Sequence, residues 1–205
     1  AASYITIPNE ARFDFNYTNP FSLGFRVNYG SAVVTSPFIM KSTGTGVQSG
    51  WKIFDDGGGF IICRLADDAD TLTVTAATQV WDSTWHAVAC TYDGSGNQNG
   101  LRIYIDGQLS ATGSSKTISS SVLNDHLVAV GATSNGGTIF NGMMDEVLIV
   151  NRTLSADEIR ELYLGGVNRT INGKWHRISS ADDLGSVSFN LTDHNNTLDG
   201  QDYDM

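Results

Sequence analysis

Residues 140–166 read FNGMMDEVLIVNRTLSADEIRELYLGG, and this stretch decides the fold. Asn141-Gly142 is a turn pair. From Met143 to Val150 the chain is rich in Val, Leu and Ile, types that pack well on a pleated surface. Apart from Asp145-Glu146 the run is apolar without a break, which predicts a strand covered on both sides. Asn151-Arg152-Thr153 ends it. Ser155 is placed to cap a helix, Glu158 completes a capping box, and Leu154 with Ile159 forms the hydrophobic staple. Ile159, Leu162 and Tyr163 make one apolar stripe, and Gly165-Gly166 supplies the stop. A helix this short needs a surface to pack on.

Working outward, the rest of the chain repeats the strand signal. FSLGFRV from Phe21 alternates Phe21, Leu23, Phe25 and Val27 on one face, with Gly24 leaving room on the other for a close approach. Trp51 to Phe54 and Phe60 to Arg64 flank an Asp55-Asp56-Gly57-Gly58-Gly59 turn. Trp85 to Tyr92 alternates Trp85, Ala87 and Ala89 against His86, Val88, Cys90 and Tyr92, and the phase predicts a core position for Trp85. Leu101, Ile103 and Ile105 face inward against Arg102 and Tyr104, before an Asp106-Gly107 hairpin. Residues 42–50, STGTGVQSG, read as a flexible loop. About a dozen short strands with one helix indicate an all-β jelly-roll sandwich of two antiparallel sheets.

Composition excludes several function classes. A net charge of -10 repels phosphate backbones and anionic lipid, so nucleic acid and membrane insertion are not expected partners. No run approaches the roughly 18 apolar residues of a membrane span. The N-terminal AASYITIPNE lacks the basic and long apolar regions of a signal peptide, and it alternates like a strand. The two cysteines, Cys63 and Cys90, lie in apolar runs and read as buried thiols, with one bridge as the alternative. After Gly166 the character changes: Asn172-Gly173 with Trp175 suggests one more turn, and only Val187 to Leu191 reads as a strand. Residues 181–205 hold six Asp and no Lys, Arg or Glu, a composition of disorder unless the segment lies on another surface.

Three blocks carry a resemblance. YITIPNEARFDFNYTNPFSLGFRV, WHAVACTYDGSGNQNGLRIYIDGQLSATG and LVAVGATSNGGTIFNGMMDEVLIVNRTLSADEIRELY resemble a concanavalin A-like domain of the laminin-G/pentraxin type, over about Tyr4 to Tyr163. The resemblance implies a domain at residues 1–166 and leaves 167–205 as an acidic extension expected to pack on a partner chain. It also implies a structural Ca²⁺, with Asp145 as a ligand and Asp14 as its partner, since hard cations want several oxygens. The alternative for Asp145 is a cap on backbone N–H groups at its corner.

Candidate ligand contacts are Trp51, Arg102 and Tyr104, an aromatic and donor set suited to a sugar ring, although Trp51 also reads as core. A hydrolase needs paired carboxylates at defined spacing, and no Glu-x-Asp-x-x-Glu strand is present; the acidic ADDAD at residues 66–70 sits in a turn. His86, His126, His176 and His194 show no metal or triad spacing. Sequons at Asn16, Asn151, Asn168, Asn190 and Asn195 read as chance matches in an Asn- and Thr-rich chain. The expectation is a non-catalytic recognition or attachment module for glycan, on a virion or other extracellular surface. A decoration or cement protein gripping other chains of an assembly, or a homo-oligomer, is the alternative, with a glycoside hydrolase third.

Overall fold

Alternation of apolar and polar residues builds every layer of the molecule. The computed structural model describes residues 4–30, 35–114, 116–164, 168–171, 174–178 and 191–193. The strands, in order, are β1 (Ile5–Ile7), β2 (Phe21–Asn28), β3 (Ser36–Lys41), β4 (Gly50–Asp55), β5 (Phe60–Ala66), β6 (Thr71–Gln79), β7 (His86–Tyr92), β8 (Leu101–Ile105), β9 (Gln108–Thr112), β10 (Val128–Val130) and β11 (Met143–Val150). They form two antiparallel sheets of six and five strands, ordered β1-β10-β3-β4-β5-β6 and β11-β2-β7-β8-β9. This is the jelly-roll sandwich expected from the sequence.

Phe21, Leu23, Phe25 and Val27 of β2 all face the core, as do Leu101, Ile103 and Ile105 of β8. Two aromatic groups fill it. Phe15, Phe21, Trp51 and Tyr92 pack together towards one end of β2, and Phe25, Tyr29, Phe38 and Phe140 towards the other. Between these levels Leu23 lies opposite Cys90, and Cys63 lies opposite Ile53.

Cys63 and Cys90 are joined in a disulfide, which corrects the reading of two thiols. Both runs are apolar because both strands face one core, from opposite sheets. That arrangement brings the two sulfurs together, and linear spacing does not report it.

Two more expectations change. Among the described residues β11 is an edge strand bonded only to β2, and four of its eight residues are exposed. Its apolar run is broken by a bulge between Asp145 and Leu148, where Glu146 takes φ +50°. Trp85 is 45% exposed: Val88, Cys90 and Tyr92 hold the inward phase of β7, which turns Trp85 outward. A Cβ at Gly24 would meet only ordinary contacts, 3.5 Å or longer, so close approach does not explain that glycine.

The Asp106-Gly107 hairpin is locked by a charge network. Asp106 accepts from Ala87 N at 2.9 Å and lies 2.7 Å from His86 Nδ1, while Asp82 Oδ1 lies 3.2 Å from His86 Nε2. Burial lowers the His86 pKa, but Asp106 and Asp82 outweigh it and hold the imidazolium above the ordinary histidine value.

The chain divides into two compact units, Ala1–Leu154 and Ser155–Met205. The second contains helix α1 (Ala156–Tyr163), with the complete Ser155/Glu158 capping box and a buried Ile159. It also contains a three-stranded antiparallel sheet of β12 (Asn168–Ile171), β13 (Lys174–Ile178) and β14 (Leu191–Asp193). Strand pairing therefore extends into the acidic extension and flanks Asn172-Gly173. The Gly165-Gly166 stop and most of the 187–191 strand lie outside the described residues.

Two measurements follow from this architecture. Replacing both cysteines with Ala removes a cross-link between residues 27 apart, worth about 3–4 kcal/mol of loop entropy. The expected loss in Tm is about 10 °C by calorimetry, and unfolded wild-type protein without reductant shows no titratable thiol. For His86 the folded pKa is raised. Its contribution is therefore full below the unfolded value of 6.5 and is lost as pH rises through the folded value. Tm measured from about pH 6 to pH 9 falls by a component that His86→Gln abolishes.

Candidate functional site

The segment 42–50 leaves β3 and returns as β4. Small and hydroxyl residues leave it without side chains of its own to pack, yet it is pinned. Lys52, fully buried on β4, directs Nζ to Ser42 Oγ (2.9 Å), Gly44 O (3.1 Å), Gly46 O (3.1 Å) and Gln48 O (2.7 Å). Arg64, opposite Lys52 on β5, donates Nη1 to Thr45 O at 2.6 Å and lies over the Phe54 ring. Burial and the Arg64 charge push the Lys52 pKa down to about 7, while the four oxygens favour its ammonium form. Asp68 closes the far side, accepting from Ser49 N (2.7 Å) and Oγ (2.6 Å). These bonds hold the Asp68 carboxyl below its usual range. The flexible loop of the sequence reading is a bonded rim, and the ADDAD turn is part of its clasp.

A second segment faces it. Thr133–Thr138 curls into a tight turn through Thr133 N to Thr138 O and Gly136 N to Thr133 O. Asn135 Oδ1 accepts from Thr133 Oγ1 and Gly137 N. Ser42 and Ser134 lace the two segments, Ser134 N donating to Ser42 O and Ser42 N to Ser134 Oγ.

Between them lies a cleft of about 470 Å³, lined by Thr43, Gly44 and Thr45 on one side and Thr133, Asn135, Gly137 and Thr138 on the other, with Thr35 beside them. The hydroxyls of Thr43, Thr45 and Thr138 and Asn135 Nδ2 make no hydrogen bond to a described residue, so they are available to a ligand. Tyr4, 44% exposed, rests its Oη against Gly136, 2.9 Å from where a Cβ there would sit. Among the described residues the lining carries no charged side chain. Such a surface offers hydroxyl and amide hydrogen bonds, while the exposed Tyr4 meets the same turn at Gly136 without lining the cleft.

The residues singled out from the sequence lie elsewhere. Trp51 is 1% exposed, packs on Phe15 and Phe21, and donates Nε1 to Phe13 O, so it is a core residue. Tyr104 is 5% exposed, and Arg102 is half-buried opposite Thr91 and Thr112. None of the three lines the cleft.

The two proposed metal ligands are not brought together. Asp14 Oδ1 lies 2.8 Å from buried Lys41 Nζ, a charge contact rather than a well-directed hydrogen bond. Asp145 Oδ1 accepts from Glu146 N, capping the bulge of β11, while Glu146 pairs with Arg26. Phe15 stacks at the start of β2 and Asp145 lies opposite Arg26, roughly 16 Å further along that strand. Asp14 and Asp145 do not fit one Ca²⁺ site, and no cluster of three metal-ligating side chains occurs among the described residues.

The cleft left one trace in the sequence, the Thr- and Gly-rich composition of residues 43–46 and 133–138. Its pairing partner and the cations beneath it left none.

Comparison with known proteins agrees with the architecture. No curated protein sequence matches. Among solved structures, the botulinum neurotoxin serotype G binding domain superposes with a TM-score of 0.59 at 20% identity, over 79% of this chain and 40% of that one. The binding domain of Paraclostridial Mosquitocidal Protein 1 gives 0.59 at 14% identity, over 98% and 58%. The Ruminococcus gnavus IT-sialidase CBM40 bound to alpha2,3 sialyllactose gives 0.57 at 18%, over 78% and 95%. The chain thus spans about half the length of the two toxin domains, and at these identities the likeness is one of fold. A family model matches residues 1–160, and with the two-sheet sandwich it establishes that this chain belongs to the concanavalin A-like lectin/glucanases superfamily.

Proposed function

We propose that the chain is a non-catalytic recognition module that binds neutral glycans in the cleft between residues 42–46 and 133–138. The observation that carries this reading is the cleft itself. It presents the Thr43, Thr45 and Thr138 hydroxyls and the Asn135 amide, with Tyr4 exposed against the same turn at Gly136 and no charged side chain among the described lining residues. A pyranose has an apolar face and a hydroxyl rim, which match an aromatic flank and short polar donors. Glycoside hydrolysis calls for two carboxyl groups about 5–9 Å apart, and among the described residues neither Asp nor Glu lines this cleft. Structures of similar fold include two toxin binding domains and a CBM40 bound to alpha2,3 sialyllactose, which supports a binding role. The disulfide fits folding in an oxidising compartment, in keeping with work at an extracellular or virion surface.

Packing into a lattice through a sheet edge is less well supported. The exposed edge of β11 is interrupted by its bulge and by Asp145 and Glu146, devices that blunt strand addition.

The test is an array of neutral and sialylated oligosaccharides probed with wild type, Tyr4→Ala, Asn135→Ala and Trp85→Ala. Binding of neutral sugars is expected, reduced at least about tenfold by the first two substitutions and unchanged by the third. Binding abolished only by Trp85→Ala moves the site to the outer face of the five-stranded sheet. An array with no signal removes the reading.

A further inference from the structure

A lysine ammonium is strongly hydrated, and its burial is costly unless its donors are met. Lys52 is fully buried, and its donors are met by one segment alone: Ser42 Oγ and the carbonyls of Gly44, Gly46 and Gln48, at 2.7–3.1 Å. Arg64 takes Thr45 O between them. Five oxygens of a loop with no regular secondary structure thus converge on two cations rooted in adjacent strands. A divalent-cation site draws carbonyls into a similar ring but adds carboxylates. Here the ring contains none, and its centre is filled by the protein's own ammonium. The other charged groups facing Nζ are Arg64 and Asp68, and Asp68 is turned to Ser49.

Peptide planarity carries the consequence outward. With the carbonyls of residues 44, 45 and 46 drawn inward, the N–H groups of Thr45, Gly46 and Val47 point away from the cations. The Thr43 and Thr45 side chains stand on this rim, where they line the cleft.

We propose that Lys52 is a positioning residue for the cleft, a built-in cation that holds the 42–48 rim in its binding shape and makes a metal ion unnecessary there. The word "binding" rests on the glycan reading above; the hold on the loop does not.

The test is amide hydrogen exchange of the full chain, read over residues 42–48 in wild type, Lys52→Met and Lys52→Ala. Met keeps the buried stem without the ammonium, and Ala also opens room for a small cation. Exchange over 42–48 is expected to rise at least about tenfold in both variants, with β4 and β5 protected as in wild type. Methylammonium chloride restores slow exchange in Lys52→Ala but not in Lys52→Met, and EDTA leaves the wild type unchanged. Wild-type exchange in folded Lys52→Met overturns the proposal, as does faster exchange when EDTA is added to wild type. Should both lysine variants unfold, Ser42→Ala decides. Faster exchange confined to 42–48 supports the hold, and unchanged exchange overturns it.

Array binding of neutral oligosaccharides is read on the same proteins. Binding lost with the loop and regained with methylammonium supports the whole proposal. A loosened loop with unchanged binding keeps the Lys52 hold but overturns its link to a ligand, and the cleft reading with it.

Discussion

Two curved sheets that meet only through side chains need their relative position fixed. Here the bond between Cys63 of β5 and Cys90 of β7 does so at the middle of the core. Around it, Leu23, Ile53, Leu65, Val88 and Ile103 exclude water, and the two aromatic groups fill the space towards each end. Apolar burial supplies the larger share of the stability, while the cross-link limits the unfolded chain. With β3, β4 and β5 held in one sheet, the segments that leave them have a rigid base. Loops can carry function when their ends are fixed in this way.

On that base the protein spends charge to shape a polar rim. Lys41, Lys52 and Arg64 are cations with little exposure or half-burial, and each is committed to loop oxygens or to Asp14. Asn124 joins the same system, donating Nδ2 to Lys41 O and Ser49 O. Gly50 is required beside it, because a Cβ at its φ of +122° would collide with Lys41 O. The result is a short, hydroxyl-rich lip supported from beneath by groups that do not line the cleft. A buried charge tolerates only the geometry that satisfies it, so the same cost that argues against burying lysine makes the loop definite.

Much of the sandwich was legible because alternation has a physical cause. A residue facing the core of a strand must be apolar, and its neighbour faces the other way. The FSLGFRV and LRIYI runs are legible for that reason, and the Asp106-Gly107 turn and the Ser155/Glu158 box because turns and caps rest on short-range hydrogen bonds. Trp85 and β11 show the limit. Alternation gives two phases but does not say which is inward when the outward residues are Trp and Ala. An apolar run does not say whether both of its faces are covered, and four of the eight β11 residues are exposed.

The site was legible only as composition. Trp51 is the kind of large aromatic that flanks sugars, yet among the described residues it is the most voluminous fully buried side chain. Asp14 and Asp145 were paired by family resemblance, and the fold holds them on separate partners. The sequence by itself determined the strands, the turns, the helix cap and the fold family, because these rest on local periodicity and short-range hydrogen bonds. Tertiary structure alone decided the Cys63–Cys90 bond, the ring of oxygens around Lys52 and the meeting of residues 42–46 with 133–138. Each joins groups distant in the chain or turns on which face of a strand is buried, and one-dimensional spacing carries neither.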